Sequence, residues 1–419
     1  MNYDHHPCFS ADARHRVGRI HLPVAPKCNM QCNYCSRDFD CLNESRPGVS
    51  STILTPLQAA DYLDSVLEKI GNIEVVGIAG PGDPFANAAE TLETLRIVRE
   101  RHPDMILCLA TNGLEVAEHA DDLARLKVSH VTITVNATDP RLSEKIYAWA
   151  RANRRIYRGL DAARIIAEKQ RQGIKALKER GMIVKVNTVV IRGINDTHVA
   201  EIAQSVSAMG VDILNCIPLY HVAGTPLEHV PPLESDEVES IRREAGVYLP
   251  QMSHCTRCRA DAAGLIGEDR SGELVELLRE ASLSQVTAER PFVAVASMEG
   301  LLVNQHLGEA AALWIFGEEQ GRAHLVERRP TPASGGGTER WNELVTRLKD
   351  CNTILVSGIG PYPQYVVERA GIRVVVMEGM AAEGVEAVLA GREVPRMLLR
   401  PAGGCGIGKQ CTGGGTGCG

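Results

Sequence analysis

The chain has 419 residues, with 45 lysines and arginines against 52 aspartates and glutamates, for a formal net charge of −7. That length exceeds what a single hydrophobic core usually serves, so two domains are expected. Apolar residues at 44% and charged residues at 23% exclude a disordered or collagen-like chain, and the acidic balance gives no reason to expect nucleic acid or an anionic membrane as a partner. No apolar run reaches the roughly 18 residues of a membrane span, and the first residues lack a cationic stretch leading into an apolar one, so the cytoplasm is the expected location. Thirteen cysteines, odd in number and unevenly placed, then point to metal chemistry rather than to a disulfide framework.

In chain order, strands are predicted at Val17–Val24, Ile73–Ala79, Met105–Ala110, His130–Val135, Met182–Ile191 and Val211–Ile217, each a short apolar or alternating run rich in Val, Ile and Thr. Helices fit between them. The clearest has Thr55 as its N-cap and Pro56 at its first position, carries Leu57, Ala60, Leu63, Leu67 and Ile70 on one face, and ends at Gly71. Others are expected at about Ala88–Arg101, Val116–Leu126, Asp161–Arg180 and Asp196–Met209. Six strands alternating with helices imply a parallel sheet with right-handed crossovers, and a partial (βα)6 barrel of the TIM type fits best. This barrel is expected to occupy residues 1–270. A linker over 271–289, helical at Glu273–Ala281, then leads to a small α/β domain at 290–395. There, strands are expected at Phe292–Ala296, Ala323–Glu327, Thr353–Ser357 and Val374–Val376, with helices near Trp341–Asp350, Gln364–Ala370 and Gly384–Ala390. Residues 396–419 form a tail rich in glycine and cysteine.

The chemistry is carried by Cys28-Asn-Met-Gln-Cys32-Asn-Tyr-Cys35, a Cys-x3-Cys-x2-Cys loop with an aromatic residue before its last cysteine, placed just after the first predicted strand. Three closely spaced thiolates can wrap a four-iron cluster and leave one iron without a protein ligand, open to a substrate. Zinc fits less well, because zinc knuckles favour Cys-x2-Cys pairs. The C-terminal end of a barrel strand is also where such folds keep their active sites.

This loop resembles the signature of the radical S-adenosylmethionine (SAM) superfamily. The resemblance implies that SAM chelates the open iron and that one electron cleaves its sulfonium to give a 5′-deoxyadenosyl radical. It also makes SAM contacts of Gly80, Gly82 and Asp83 in Ala79-Gly-Pro-Gly-Asp-Pro84, of Thr111 and Asn112, of Asn136 and Asn187 at later strand ends, and of Ile217. Taken alone, an ordinary βα turn would explain the glycine string almost as well.

The remaining cysteines narrow the resemblance to the nitrogenase-cofactor biosynthesis branch of that superfamily, through His6-Pro-Cys8, His21, Cys41, Cys255-Thr-Arg-Cys258, Tyr147-Ala-Trp149 and Tyr157-Arg-Gly159. It implies three four-iron clusters: one bound with SAM, and two auxiliary clusters held by Cys8, His21 and Cys108 and by Cys41, Cys255 and Cys258. Glu44 and Arg46 would lie near them. The implied reaction uses SAM twice to make an eight-iron, nine-sulfur core with a central carbide, a lyase-like radical chemistry. An iron–sulfur cluster donor, an electron donor such as ferredoxin, and a downstream cofactor carrier or scaffold are the implied partners. On sequence alone, Cys108 reads as a buried structural cysteine and His21 as an ordinary strand histidine. Cys216 and Cys351 have no ligand-like spacing and are assigned to packing.

The string Leu302-Val-Asn-Gln-His306-Leu-Gly-Glu-Ala310, following the strand at Phe292, resembles the NifX-type cofactor-carrier domain with its ribonuclease-H-like fold, which makes His306 a candidate cluster ligand. A hydrogen-bonded surface histidine is the plainer reading. Two rivals remain at this point. A radical SAM enzyme of the molybdopterin-precursor or peptide-maturing type usually places its extra cysteines C-terminally. A non-catalytic iron–sulfur scaffold has no need of the Gly80–Pro84 and Asn187–Asp196 segments.

Overall fold

The computed structural model describes residues 5–36, 40–43, 52–255, 260–282, 290–333 and 337–400. It divides into two compact units, Met1–Arg279 and Glu280–Gly419. Glu44, Arg46, Cys258 and the three cysteines of the tail lie outside the described residues.

The first unit is a partial (βα)6 barrel. Its parallel strands are β1 (Gly18–His21), β2 (Ile73–Ile78), β3 (Ile106–Thr111), β4 (His130–Thr134), β5 (Ile183–Val190) and β6 (Ile213–Pro218), lying side by side in that order. Strands covered on both faces read as continuous apolar runs, and β4 and β5 are buried along their whole length. β1 is shorter than its apolar run because Pro23 and Pro26 have no N–H to give the ladder. The first helix, Pro56–Lys69, begins with a reciprocal capping box between Thr55 and Gln58. The stretch expected as one helix at Val116–Leu126 is instead a 3-10 turn, Val116–His119, running into a short α-helix, Ala120–Arg125.

Two small additions bear on the site. An antiparallel hairpin, Ala263–Leu265 and Glu268–Asp269, extends the sheet beyond β1. A separate three-stranded sheet joins Met30–Cys32 of the cysteine loop to Tyr147–Ala152 and Arg155–Tyr157 from the insertion after β4. The cysteine loop is therefore itself part of a sheet, paired with a segment more than a hundred residues away.

The second unit holds a five-stranded sheet ordered Arg322–Pro330, Ala312–Glu319, Phe292–Val295, Cys351–Val356, Arg373–Val376. The first two strands run antiparallel to their neighbours and the last three are parallel, with helices at Gly337–Arg347, Pro361–Arg369 and Ala381–Leu389. This is the expected small α/β carrier-type fold, with one strand, Ala312–Glu319, that the sequence pattern did not show. That strand pairs on both edges and supplies Leu313 and Ile315 to the core.

Candidate metal centre

Cys28, Cys32, Cys35 and Cys41 line one cavity of about 430 Å³ at the C-terminal end of β1, together with Asp83 and Asn112. Local hydrogen bonds fix the loop. Gln31 Nε2 donates to the carbonyls of Cys35 (2.6 Å) and Cys32 (3.1 Å). Tyr34, the aromatic residue of the motif, is 1% exposed; its hydroxyl donates to Asn43 Oδ1 and accepts from Asn136 Nδ2 at 2.7 Å. Asn136 is thus committed to holding the loop, and its Oδ1 also accepts from Val189 N–H at 2.8 Å.

The glycine-rich turn works in a way the sequence did not suggest. A Cβ on Gly82 would lie 2.1 Å from the carbonyl oxygen of Lys27, the residue before Cys28. Gly82 N–H donates to Ala25 O (2.6 Å) and Asp83 N–H to Lys27 O (2.8 Å), while Cys41 N–H donates to Pro81 O (2.8 Å). The close backbone approach is between this turn and the lead-in to the cysteine loop. Asp83 extends the linkage: its carboxylate accepts from Thr111 Oγ1 (2.9 Å), Asn112 N–H (2.7 Å) and Phe85 N–H (2.9 Å), and Asn112 Nδ2 reaches Cys28 Sγ at 3.8 Å. Burial pushes the Asp83 carboxyl up, against these donors, which hold it down.

A second cavity, of about 620 Å³, opens on the inner face of the sheet, and Ala110 lines both. Cys8, His21, Cys108 and Cys255 line it, with Asn187 and Ile217. The sheet register explains the grouping: His21, Gly77, Cys108 and His130 are successive partners across β1 to β4, which puts them in one row on one face. Gly77 is what leaves room, since a Cβ there would lie 2.9 Å from His21 Cδ2 and 3.0 Å from Cys108 Sγ. Cys8 enters from the N-terminal segment. His130 and Lys185, which the sequence reading did not single out, share this wall with His6, which it quoted only within the His6-Pro-Cys8 string. The advance signal for His130 and Lys185 was a polar residue within a run otherwise apolar.

These residue sets fit iron–sulfur groups. Burial pushes the Cys32 and Cys41 thiols well above the usual range, and each is pushed further by the neighbouring cysteine sulfurs, so thiolates gathered here need a metal to carry their charge. Among the described residues no three His, Cys, Asp or Glu side chains converge tightly enough for a single ion, and the nine described cysteines form no disulfide. In the second cavity His6 Nε2, His130 Nε2 and Asn215 Oδ1 are buried without a protein partner.

The structure thus brings most of the expected residues together, with three differences. Cys41 sits with the signature cysteines, whereas Cys255 sits with Cys8, His21 and Cys108. Gly80 and Asn136 line neither cavity. His306 caps a turn in the second unit: its Nδ1 accepts from Gly308 N–H at 3.1 Å and its ring packs over Gly358. Cys216 and Cys351 are buried, and burial pushes each thiol to about 12, as packing residues should show.

A curled parallel sheet with a three-cysteine loop at the end of its first strand is the architecture of radical SAM enzymes, and the model of the radical SAM superfamily matches residues 22–206. The dinitrogenase iron-molybdenum cofactor family matches residues 289–391. The chain is 48% identical to the FeMo cofactor biosynthesis protein NifB of Chlorobaculum tepidum, covering 100% of this chain and 99% of that protein. It is 39% identical to the protein of the same name from Klebsiella pneumoniae, over 88% of this chain and 86% of that one. The Azotobacter vinelandii protein is 35% identical over 88% of this chain and 84% of its own length. The chain belongs to the NifB family of radical SAM enzymes of FeMo cofactor biosynthesis.

Proposed function

We propose that the chain joins two four-iron clusters, its substrates, into an eight-iron, nine-sulfur core with a central carbide drawn from SAM, the precursor of the nitrogenase iron-molybdenum cofactor. Cys28, Cys32 and Cys35 would hold a resident four-iron cluster, which when bound would supply the electron that cleaves SAM to the 5′-deoxyadenosyl radical. Cys8, His21 and Cys108 hold one substrate cluster. The resemblance gives the other to Cys41, Cys255 and Cys258, with Glu44 and Arg46; since Cys41 lines the first cavity and Cys255 the second, that cluster would have to bridge the two where they adjoin. One SAM would donate a methyl group to a substrate sulfur and leave as S-adenosylhomocysteine, the radical from a second would take one hydrogen atom from that methyl and leave as 5′-deoxyadenosine, and the two remaining hydrogens would depart as protons as the carbon is built into the core.

The observation that carries this reading is that the thiol-lined cavity and the Cys/His-lined cavity adjoin, with Ala110 on the wall of both. A primary radical must meet its target within contact distance and away from water, so the residues' task is to hold two reacting groups side by side inside the partial barrel, shielded from solvent. Gly82, Asp83, Thr111, Asn112, Asn187 and Ile217 shape the space for SAM between them, and Gly80 and Asn136 support the loops that do so. An imidazole at His21 is a neutral ligand and anchors a cluster less firmly than a third thiolate, which suits a substrate that must leave. The second unit is the carrier of product, with His306 as its candidate ligand; because Nδ1 accepts from Gly308 N–H, ligation through the ring requires that turn contact to open. A cluster donor, an electron donor such as ferredoxin, and a downstream carrier or scaffold complete the route.

Anaerobic iron counting with a SAM-cleavage assay tests the proposal. Cys28→Ala should abolish 5′-deoxyadenosine formation while leaving auxiliary iron in place. Full retention of cleavage would defeat the site assignment, and clusters without any cleavage by the unaltered chain would make it a scaffold.

A further inference from the structure

The second cavity holds a histidine with no place in the ligand sets above. His6 is 2% exposed, lies two residues before Cys8, and lines the cavity with Cys8, His21 and Cys108. Its Nδ1 accepts a hydrogen bond from Cys8 N–H at 3.1 Å. An imidazole nitrogen that accepts carries the lone pair, so the ring proton resides on Nε2. That Nε2–H is buried and has no partner in the protein. A buried donor left unmatched is costly, so its partner is to be sought in what the cavity binds.

We infer that His6 donates its Nε2–H to a sulfur of the cluster held by Cys8, His21 and Cys108. The inference rests on the proposed function for the presence of a cluster there, and goes beyond it in assigning His6 a role other than ligation. A nitrogen that bears hydrogen has no lone pair for iron, whereas the sulfides and thiolates of a cluster accept hydrogen bonds. The ring is held for this task. It packs edge-on to Phe9 (centroids 4.9 Å apart) and tilted against His130 (4.4 Å), and the His6 carbonyl accepts from Phe9 N–H (2.9 Å) and Ser10 N–H (3.0 Å). His130 is a different case: its Nδ1 faces Ser129 Oγ at 2.8 Å, and a hydroxyl can donate or accept, so its Nε2 is not fixed as a donor. A hydrogen bond to cluster sulfur favours the reduced, more negative state and raises the potential. His6 is thus a positioning and tuning residue for a substrate cluster, tied through one backbone hydrogen bond to the cysteine that ligates it.

The full chain, reconstituted anaerobically with iron and sulfide, gives the test. In the unaltered protein, the auxiliary cluster's electron-nuclear double resonance spectrum should contain an exchangeable proton coupling that disappears in deuterated buffer. His6→Leu should lose that coupling, keep most of the iron, and shift the auxiliary potential negative while leaving the signature cluster's potential unchanged. His6→Gln, whose amide N–H can replace the donor, should recover part of the shift. Absence of the exchangeable coupling in the unaltered protein overturns the inference without any variant being needed. So does an unchanged potential in His6→Leu. The underlying reading fails separately, and takes the inference with it, if Cys8→Ala and His21→Ala lose no auxiliary iron.

Discussion

Gly82→Ala is the substitution for which the structure gives the sharpest expectation. Its Cβ would lie 2.1 Å from Lys27 O, 2.6 Å from Lys27 C and 2.8 Å from Pro26 O, where 3.0 Å is the least that real Cβ contacts allow. The obstacle is backbone, so the two segments must part by about 1 Å, the difference between 3.0 and 2.1 Å. Parting them breaks Gly82 N–H to Ala25 O and Asp83 N–H to Lys27 O, at about 1 kcal/mol each. Overpacking adds about 1–3 kcal/mol, so a loss of about 3–5 kcal/mol is expected. Because Lys27 precedes Cys28, the same movement carries a cluster ligand out of position. Urea denaturation measures the first effect; iron content and SAM cleavage measure the second. Gly71→Ala, where nothing lies within 4 Å, is the matched control. A Gly82→Ala protein with unaltered stability and full SAM cleavage would refute the docking of this turn on the cysteine loop.

Tyr34→Phe leaves Asn136 Nδ2 and Asn43 Oδ1 without their shared hydroxyl, and should cost about 2 kcal/mol or more in denaturation, with faster loss of the signature cluster to a chelator. Asp83→Asn turns an amide N–H toward one of the donors Thr111 Oγ1, Asn112 N–H or Phe85 N–H; a loss of about 1–3 kcal/mol and a weakened hold on Cys28 are expected, read by denaturation and by the cluster's spectrum. Cys41→Ala should remove about four irons per chain and spare SAM cleavage; loss of cleavage with the auxiliary iron intact would mean that Cys41 closes the signature cluster instead.

The six barrel strands were legible because each is largely buried on both faces, so its apolar run needs no partner to be recognised. Ala312–Glu319 escaped because its run passes straight into Gly317 and the paired glutamates, where alternation ends. The three-stranded sheet at the cysteine loop escaped for another reason: Met30 pairs with Ala150 and Cys32 with Tyr147, short segments whose pairing is set by tertiary position. No local pattern encodes such a contact.

The same division runs through the site. Spacing revealed Cys28, Cys32 and Cys35 because ligands within one loop keep their geometry in the sequence. Cys8, His21, Cys108 and Cys255 come from separate elements, and only the register row through Gly77 shows why two of them meet: the glycine opposite both is the gap into which His21 and Cys108 project. Gly82 and Asn136 were recognised as functional positions but for contacts with SAM, whereas their hydrogen bonds and close approaches run to the cysteine loop and its supports. That shift has a chemical consequence. A loop fastened by Gly82, Tyr34, Asn136 and the Asp83–Asn112 linkage can present three thiolates without rearranging when metal arrives. The Cys/His cavity is assembled from distant elements, with buried polar atoms left unmatched, and it is the place where a group that enters and leaves would be received.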